Sequence, residues 1–355
     1  MSLRERLGWN DFLEQQTRQE ERAGLQWARV VEEQRGLYRV AGDVDGWAEV
    51  SGRFRHDAAH AADFPAVGDW VGVEQGIIHR RLERRSTVSR AAAGRAVDEQ
   101  VLAANVDTIF LVTALGEDLS ARRLERYLTV VWDAGAVPVI LLNKSDLSAD
   151  PDAEQASLRA RLPMVDVFLV SALQEGTLGG LNALAPYLGP AQTVALLGSS
   201  GVGKSTLINR LLGRDELKTG AISDAVGKGR HTTTSRQLVE LPGGALLIDT
   251  PGMREVQPWV DGSAIDAAFN DITALSAACR FTDCEHASEP GCTVRDAVES
   301  GRLDADRLES YRRLGREAAF EERKRNKAAA SEEKRRWKQI HQAQRALYRN
   351  RDRWR

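Results

Sequence analysis

The spacing of apolar residues changes character along the chain. Residues 1–24 are polar apart from a short helical pattern around Trp9, Phe12 and Leu13. From Trp27 to about Arg90 the apolar positions fall into short β-type runs: WARVVEE, LYRVAG, WAEVSGRF, DWVGVE and GIIHRRLE. Turn formers separate them at Gly42-Asp43, Asp45-Gly46 and Phe64-Pro65. Such a series predicts a small barrel over residues 25–95. An OB-fold is the first expectation, and an SH3-like barrel would show a similar pattern.

Beyond residue 95 the runs become nearly continuous. VDTIFLVTAL, VPVILLN, VDVFLVSA, TVALLGSS and ALLIDTPG read as strands buried on both faces of a parallel sheet. RRLERYLTVVWDAG, between the first two, has helical spacing. This alternation predicts a doubly wound α/β domain over residues 96–262. Residues 263–355 are helical in pattern and highly charged, interrupted by a cluster of cysteines.

Composition refines this picture. The chain has 355 residues, 42% hydrophobic and 28% charged, enough for several domains with true cores. No apolar run reaches membrane-spanning length, and no apolar stretch follows the N-terminal arginines, so neither a membrane span nor a secretory signal is expected. The expected compartment is the cytoplasm. Net charge is only −2, but residues 302–355 carry 18 Lys or Arg against 9 Asp or Glu, leaving the first 301 residues at −11. An acidic body with a basic arm suits a nucleic-acid partner, and equally a solvated helix of mixed charge.

The strongest chemical signal is Gly198-Ser199-Ser200-Gly201-Val202-Gly203-Lys204-Ser205-Thr206, a complete phosphate-binding P-loop between an apolar strand and the helix-like STLINRLL. Backbone N–H groups and the helix N-terminus would cradle phosphates. Lys204 would reach the β- and γ-phosphates and Ser205 would bind Mg²⁺. Asp249, ending the strand ALLI before Thr250-Pro251-Gly252, takes the Walker-B position and would hold Mg²⁺. The Gly252 amide would sense the γ-phosphate.

Asn143-Lys144-Ser145-Asp146 ends VPVILL, and the Asp146 carboxylate can accept from the ring N–H and exocyclic amine of guanine, a pattern adenine lacks. Asn143 and Lys144 would brace this loop. Ser171-Ala172 ends the next strand, where a backbone N–H can meet the guanine carbonyl. All these segments fall at the C-terminal ends of parallel strands, where such sheets bind ligands. In ordinary GTPases the P-loop comes first. Here Asn143 and Ser171 precede Gly198, the order of a circular permutation.

Gly227–Arg236 lies in the switch I position, and Thr233 or Thr234 would complete the Mg²⁺ shell. Met253 stands where Ras-like enzymes orient water with glutamine, which leaves His231 as the nearest polar substitute. Gly201 occupies the place where potassium-activated GTPases often carry asparagine. Finally, Cys279, Cys284, His286 and Cys292 form a Cys₃His set in a polar, turn-rich segment, the donor set of a closed structural zinc site.

Together these residues resemble the bacterial family of ribosome small subunit-dependent GTPase A. The likeness runs from the predicted barrel through AANVD, NKSD, GSSGVGKST, GRHTTT, DTPG and the Cys₃His cluster. It implies an OB-fold, a permuted GTPase domain and a zinc-binding C-terminal domain. It also implies binding of the small (30S) ribosomal subunit and its 16S rRNA, and subunit-stimulated hydrolysis of GTP to GDP late in 30S maturation. A monomer is expected. Barrel arginines Arg53, Arg55, Arg80, Arg81, Arg84 and Arg85 are candidates for rRNA contact. The rival readings are a nucleotide-gated RNA-binding module with little turnover and a P-loop metabolite kinase, against which the NKSD loop argues.

Overall fold

The computed structural model describes residues 1–18, 24–91, 99–116, 119–173, 180–213, 236–249, 262–320 and 323. The expectations placed on His231, Thr233, Thr234, Gly252, Met253 and the tail beyond Ser331 lie outside the described residues.

The chain opens with two short helices, α1 (Leu3–Arg6) and α2 (Asp11–Arg18), followed by β1 (Gln26–Gln34), β2 (Leu37–Gly42) and β3 (Gly46–Val50). The run WAEVSGRF does not continue as a strand. The Ser51 side chain accepts from the Phe54 amide and starts α3 (Gly52–Asp57), because a serine hydroxyl offers the first turn a cap that the sheet cannot match. β4 (Trp70–Glu74) and β5 (Ile77–Arg81) complete a barrel in the order β1-β2-β3-β5-β4, with β4 pairing back onto β1. The parallel β3–β5 pairing gives the Greek-key closure of an OB barrel rather than an SH3-like meander. Alternate residues point inward, so Val30, Val40, Val50, Val71, Val73 and Ile78 fill the interior.

A two-stranded antiparallel ribbon, β6 (Thr87–Ala91) and β7 (Glu99–Ala104), leads into the α/β domain. Its elements are β8 (Thr108–Ala114), α4 (Ala121–Asp133), β9 (Val137–Asn143), α5 (Pro151–Arg161), β10 (Asp166–Leu169), β11 (Thr193–Leu197), α6 (Lys204–Leu212), β12 (Arg236–Glu240) and β13 (Leu246–Asp249). The strand order is β10-β9-β8-β11-β13-β12, parallel except for β12. The chain leaves β8 towards one edge and β11 towards the other, so the crevice between their C-terminal ends is the topological switch point.

Period-two alternation sorts β8 onto two cores. Ile109 and Leu111 pack with Leu124, Leu128 and Val131 of α4 and Leu158 of α5. Phe110 and Val112 face Leu207, Ile208 and Leu212 of α6. Truncating one of these leucines to alanine would cost about 2–5 kcal/mol. Helix α4 forms because Ser120 caps its start and its apolar residues recur on one side.

The barrel is welded to the α/β domain. β1 pairs with β12, making one 11-stranded sheet. Arg29 is 1% exposed, and its guanidinium donates to Leu7 O at 2.6 Å, Gly68 O at 3.1 Å, Asn105 O at 3.1 Å and Thr193 Oγ1 at 3.0 Å. Burial pushes its pKa down to about 9, so the group keeps its charge at neutral pH and draws on four carbonyl or hydroxyl acceptors. The C-terminal region comprises α7 (Gly262–Ala268), α8 (Asn270–Ser276), α9 (Thr293–Glu299) and α10 (residues 305–320) around a separate core containing Phe269, Ile272, Val294 and Leu308. Among the described residues no helix is long and apolar enough to cross a membrane.

Candidate nucleotide and metal sites

The P-loop follows β11 and turns into α6 at Lys204. Its backbone lies so close to β8 that a Cβ at Gly198 would sit 2.1 Å from Val112 O. At Gly203, with φ +96°, a Cβ would stand 2.4 Å from Asn143 Nδ2. Only glycine fits both places. Lys204 Nζ donates to Gly198 O at 2.6 Å and to Ser199 O, which holds the ammonium inside the loop. Val202 is buried, while Ser199, Lys204, Ser205 and Thr206 are partly exposed and Ser200 and Gly201 exposed.

Asn143, at the end of β9, is the hub of the site. Its side chain donates to Val202 O at 2.7 Å and accepts from the Ala172 amide at 3.3 Å. Lys144, in the left-handed conformation, sends its ammonium to Gly201 O at 3.0 Å. Ser145 donates through Oγ to Val170 O at 3.0 Å. The loops of three strands, β9, β10 and β11, are therefore cross-linked through short polar contacts.

Asp146 projects into solvent from a 3₁₀ turn at Ser145–Leu147. Ser171 and Ala172 are buried against the same hub. The Ala172 amide is engaged by Asn143 rather than turned outward. Asp249 ends β13, which lies parallel to β11, and so stands beside the root of the P-loop.

The four donors of Cys279, Cys284, His286 and Cys292 lie within 4.8 Å of one another. Cys279 Sγ is 3.9 Å from Cys292 Sγ, and His286 Nδ1 lies 3.7 and 3.5 Å from those sulfurs. A tetrahedral ion with metal–sulfur bonds of about 2.3 Å would separate its sulfurs by about 3.8 Å, so the cluster is already the size of a coordination shell and can hold a metal ion. Burial, and secondarily Arg312, lowers the His286 pKa, which favours the neutral imidazole a metal needs. The other ring nitrogen lies 2.9 Å from Ser276 Oγ, which itself donates to Ile272 O at 2.8 Å. Ser276 is thus placed to orient His286 as a metal ligand would need. Its one signal in the sequence is its place one helical turn before Cys279. The loop between ligands is pinned by Glu289, whose carboxylate accepts from the amides of Glu285, Ala287 and Ser288.

The barrel arginines divide. Arg84 is nearly buried and paired with Asp69 at 2.7 Å, so it is a structural residue and not a surface contact. Arg85 pairs with Asp107. Arg81 is half-buried with Nε on Asp63 O. Arg53 and Arg55 project into solvent from α3.

A family model for the RsgA GTPase matches residues 81–259. An ABC transporter model also matches residues 181–348, a stretch that contains the P-loop but leaves out Asn143–Asp146 and Ser171–Ala172. The chain is 47% identical to a small ribosomal subunit biogenesis GTPase RsgA of Opitutus terrae, over 98% of each chain. A similarly named protein of Lactiplantibacillus plantarum is 46% identical over 82% of this chain and 83% of its own. Among solved structures, YjeQ from Thermotoga maritima superposes with a TM-score of 0.63 at 25% identity, covering 83% of this chain and 99% of that one. YloQ, a circularly permuted GTPase, shares the fold with a TM-score of 0.60 at 23% identity, over 85% of this chain and 97% of its own. The chain belongs to the RsgA GTPase family, and it is a GTP-hydrolysing enzyme whose nucleotide-binding motifs are circularly permuted.

Proposed function

We propose that this chain binds the small ribosomal subunit, contacts its rRNA, and hydrolyses GTP to GDP during late maturation of that subunit. The carrying observation is the hub at Asn143, which ties the phosphate-binding loop to both base-reading loops in one crevice. The names of the relatives in Opitutus and Lactiplantibacillus supply the ribosomal context. The division into a 1–24 extension, a 25–95 barrel, a 96–262 GTPase domain and a 263–355 metal-binding and basic region underlies this reading.

In the proposed cycle the amides of Gly198–Gly203 and the Lys204 ammonium carry the phosphates, and Asp146 selects guanine. Ser205 and Asp249 would hold Mg²⁺, whose charge offsets that of the phosphates. Thr233 or Thr234 would add a hydroxyl to the same ion, and the Gly252 amide would report on the γ-phosphate. His231 is the proposed water-orienting group, since the thioether of Met253 has no donor and is too weak a hydrogen-bond acceptor to position water. Cys279, Cys284, His286 and Cys292 would hold one structural zinc, because three thiolates and an imidazole with no open position favour that ion. Arg53 and Arg55 and the basic arm beyond Ser331 are the proposed rRNA contacts, the protein acting in the cytoplasm as a monomer.

Co-sedimentation with purified small subunits tests the reading. A non-hydrolysable GTP analogue should retain the chain on the subunit and GDP should release it. Equal retention in both, or none in either, would refute the nucleotide-gated association.

A further inference from the structure

We infer that helix α5 links the seat of the metal-binding C-terminal region to the affinity of the guanine-reading turn, with Glu154 and Arg161 as positioning residues at its two ends. The inference rests on the reading that Asn143–Asp146 holds the base.

At the N-terminal end of α5, Glu154 Oε1 accepts from the Ser148 hydroxyl at 2.6 Å and Oε2 accepts from the Gly116 amide at 3.3 Å. Ser148 Oγ in turn accepts from the amide of Asp150, the residue that caps α5. Ser148 directly follows the turn that presents Asp146, and Gly116 lies just beyond β8. One carboxylate therefore pins two loops at the C-terminal edge of the sheet.

Along its length α5 is fixed to β10. Gln155 Nε2 and Arg159 Nη2 donate to Val167 O at 2.8 and 2.7 Å, and Leu158 is buried in the core. Eleven residues span about 16 Å, so the helix acts as a short rigid rod.

The C-terminal end of α5 enters an ionic cluster shared between two parts of the molecule. Arg161 Nε donates to Glu125 Oε1 at 3.1 Å and Nη1 to Asp304 at 2.9 Å. Glu125 is 1% exposed and also receives Arg307 Nη1 at 3.4 Å. Arg307 is held in turn by both oxygens of Asp271 at 2.7 Å and by Ala268 O at 3.1 Å. Asp271, Asp304 and Arg307 belong to the C-terminal region, whereas Glu125 and Arg161 belong to the GTPase domain.

Two atoms of this cluster, Glu125 Oε2 and Arg161 Nη2, are buried without a hydrogen-bond partner among the described residues. A partly satisfied ionic cluster at low dielectric changes energy steeply with small displacements. A shift of the C-terminal region moves Arg161, and the rod delivers that movement to Glu154 and the turn carrying Asp146. Because such linkage is reciprocal, a bound guanine nucleotide favours the seated C-terminal region. The covalent route between nucleotide and C-terminal region runs through the segment after Asp249; this second route runs behind the guanine loop.

GDP affinity of the full chain, read by displacement of a fluorescent guanine nucleotide, tests the link in a double-mutant cycle. Glu154→Ala and Arg161→Met should each weaken GDP about fivefold, the equivalent of one lost anchoring hydrogen bond. For Arg161→Met the KM for GTP should rise by the same factor while kcat holds, and Arg161→Lys should recover most of the loss. The double variant should fall well short of the product of the single effects, because its second cut acts on a rod already released. Wild-type affinity in Arg161→Met, or a double variant equal to the product, would overturn the inference. Should Arg161→Met fail to fold, Asp304→Asn at the exposed rim of the cluster takes its place, with about a twofold loss expected and none overturning the link. The underlying placement of the base fails separately, if Asp146→Asn does not change the preference between guanine and xanthine nucleotides.

Discussion

Asn143 Nδ2 donates to Val202 O at 2.7 Å, joining the Asn143–Asp146 loop to the P-loop across 59 residues of sequence. The same side chain accepts from the Ala172 amide, so one amide group fixes three loops relative to each other. This relationship explains why permutation is harmless to the site. The chain order of β9, β10 and β11 changes, but the loops meet at the ends of a sheet whose strand neighbours are set by burial rather than by succession.

Asn143→Ala should therefore do more than remove a contact to nucleotide. It strands a buried carbonyl and a buried amide, each costing about 1–3 kcal/mol. Guanine-nucleotide affinity should fall more than about tenfold, and the melting temperature should drop with it. Gly203→Ala should mimic this loss, since its Cβ would occupy the place of Asn143 Nδ2. Nucleotide titration of both variants, with thermal unfolding alongside, checks the pair.

Asp146→Asn should move preference from GTP towards XTP, because the amide supplies a donor to the xanthine carbonyl and loses the acceptor that guanine needs. Competition between the two nucleotides reads this directly. Unaltered GTP affinity would show that the exposed turn at Ser145–Leu147 is not the base site.

Lys204→Ala and Ser205→Ala should abolish phosphate release. The barrel core and the Cys₃His cluster lie in separate parts of the fold, so both should survive these changes. Circular dichroism and metal content would confirm the intact remainder, and normal turnover in either variant would exclude this P-loop as the active one.

One metal ion per chain should be found by elemental analysis, and Cys284→Ala should lose it. Ser276→Ala keeps all four ligands but removes the partner of the second His286 nitrogen. It should weaken metal affinity about 10- to 100-fold, as removal of such orienting groups typically does. A colorimetric chelator competition measures the effect, and unchanged affinity would mean that Ser276 is incidental.

Much of this was legible in the sequence for a physical reason. The buried strands β8, β9 and β11 have apolar side chains on both faces, so their runs stand out without any knowledge of partners. The P-loop and the Cys₃His set have chemistry that fixes their spacing. Elements whose stability comes from neighbours were not legible. β12, RQLVE, has one fully buried position and exists by pairing with β13 on one side and the barrel on the other. The end of WAEVSGRF became α3 through a single cap at Ser51. Arg84 looked like its exposed neighbours in the sequence, and only the fold brings Asp69 to it. Asn143 was expected to brace its own loop; that it also holds the Ala172 amide depends on β10 lying beside β9.

The most direct test of the account is phosphate release from GTP by the purified chain, titrated with purified small ribosomal subunits. The account predicts a rate that rises with subunit concentration, saturates at one subunit per chain, and vanishes in Lys204→Ala. A rate that stays flat across the titration would contradict it, and would leave a GTPase whose turnover does not answer to the subunit.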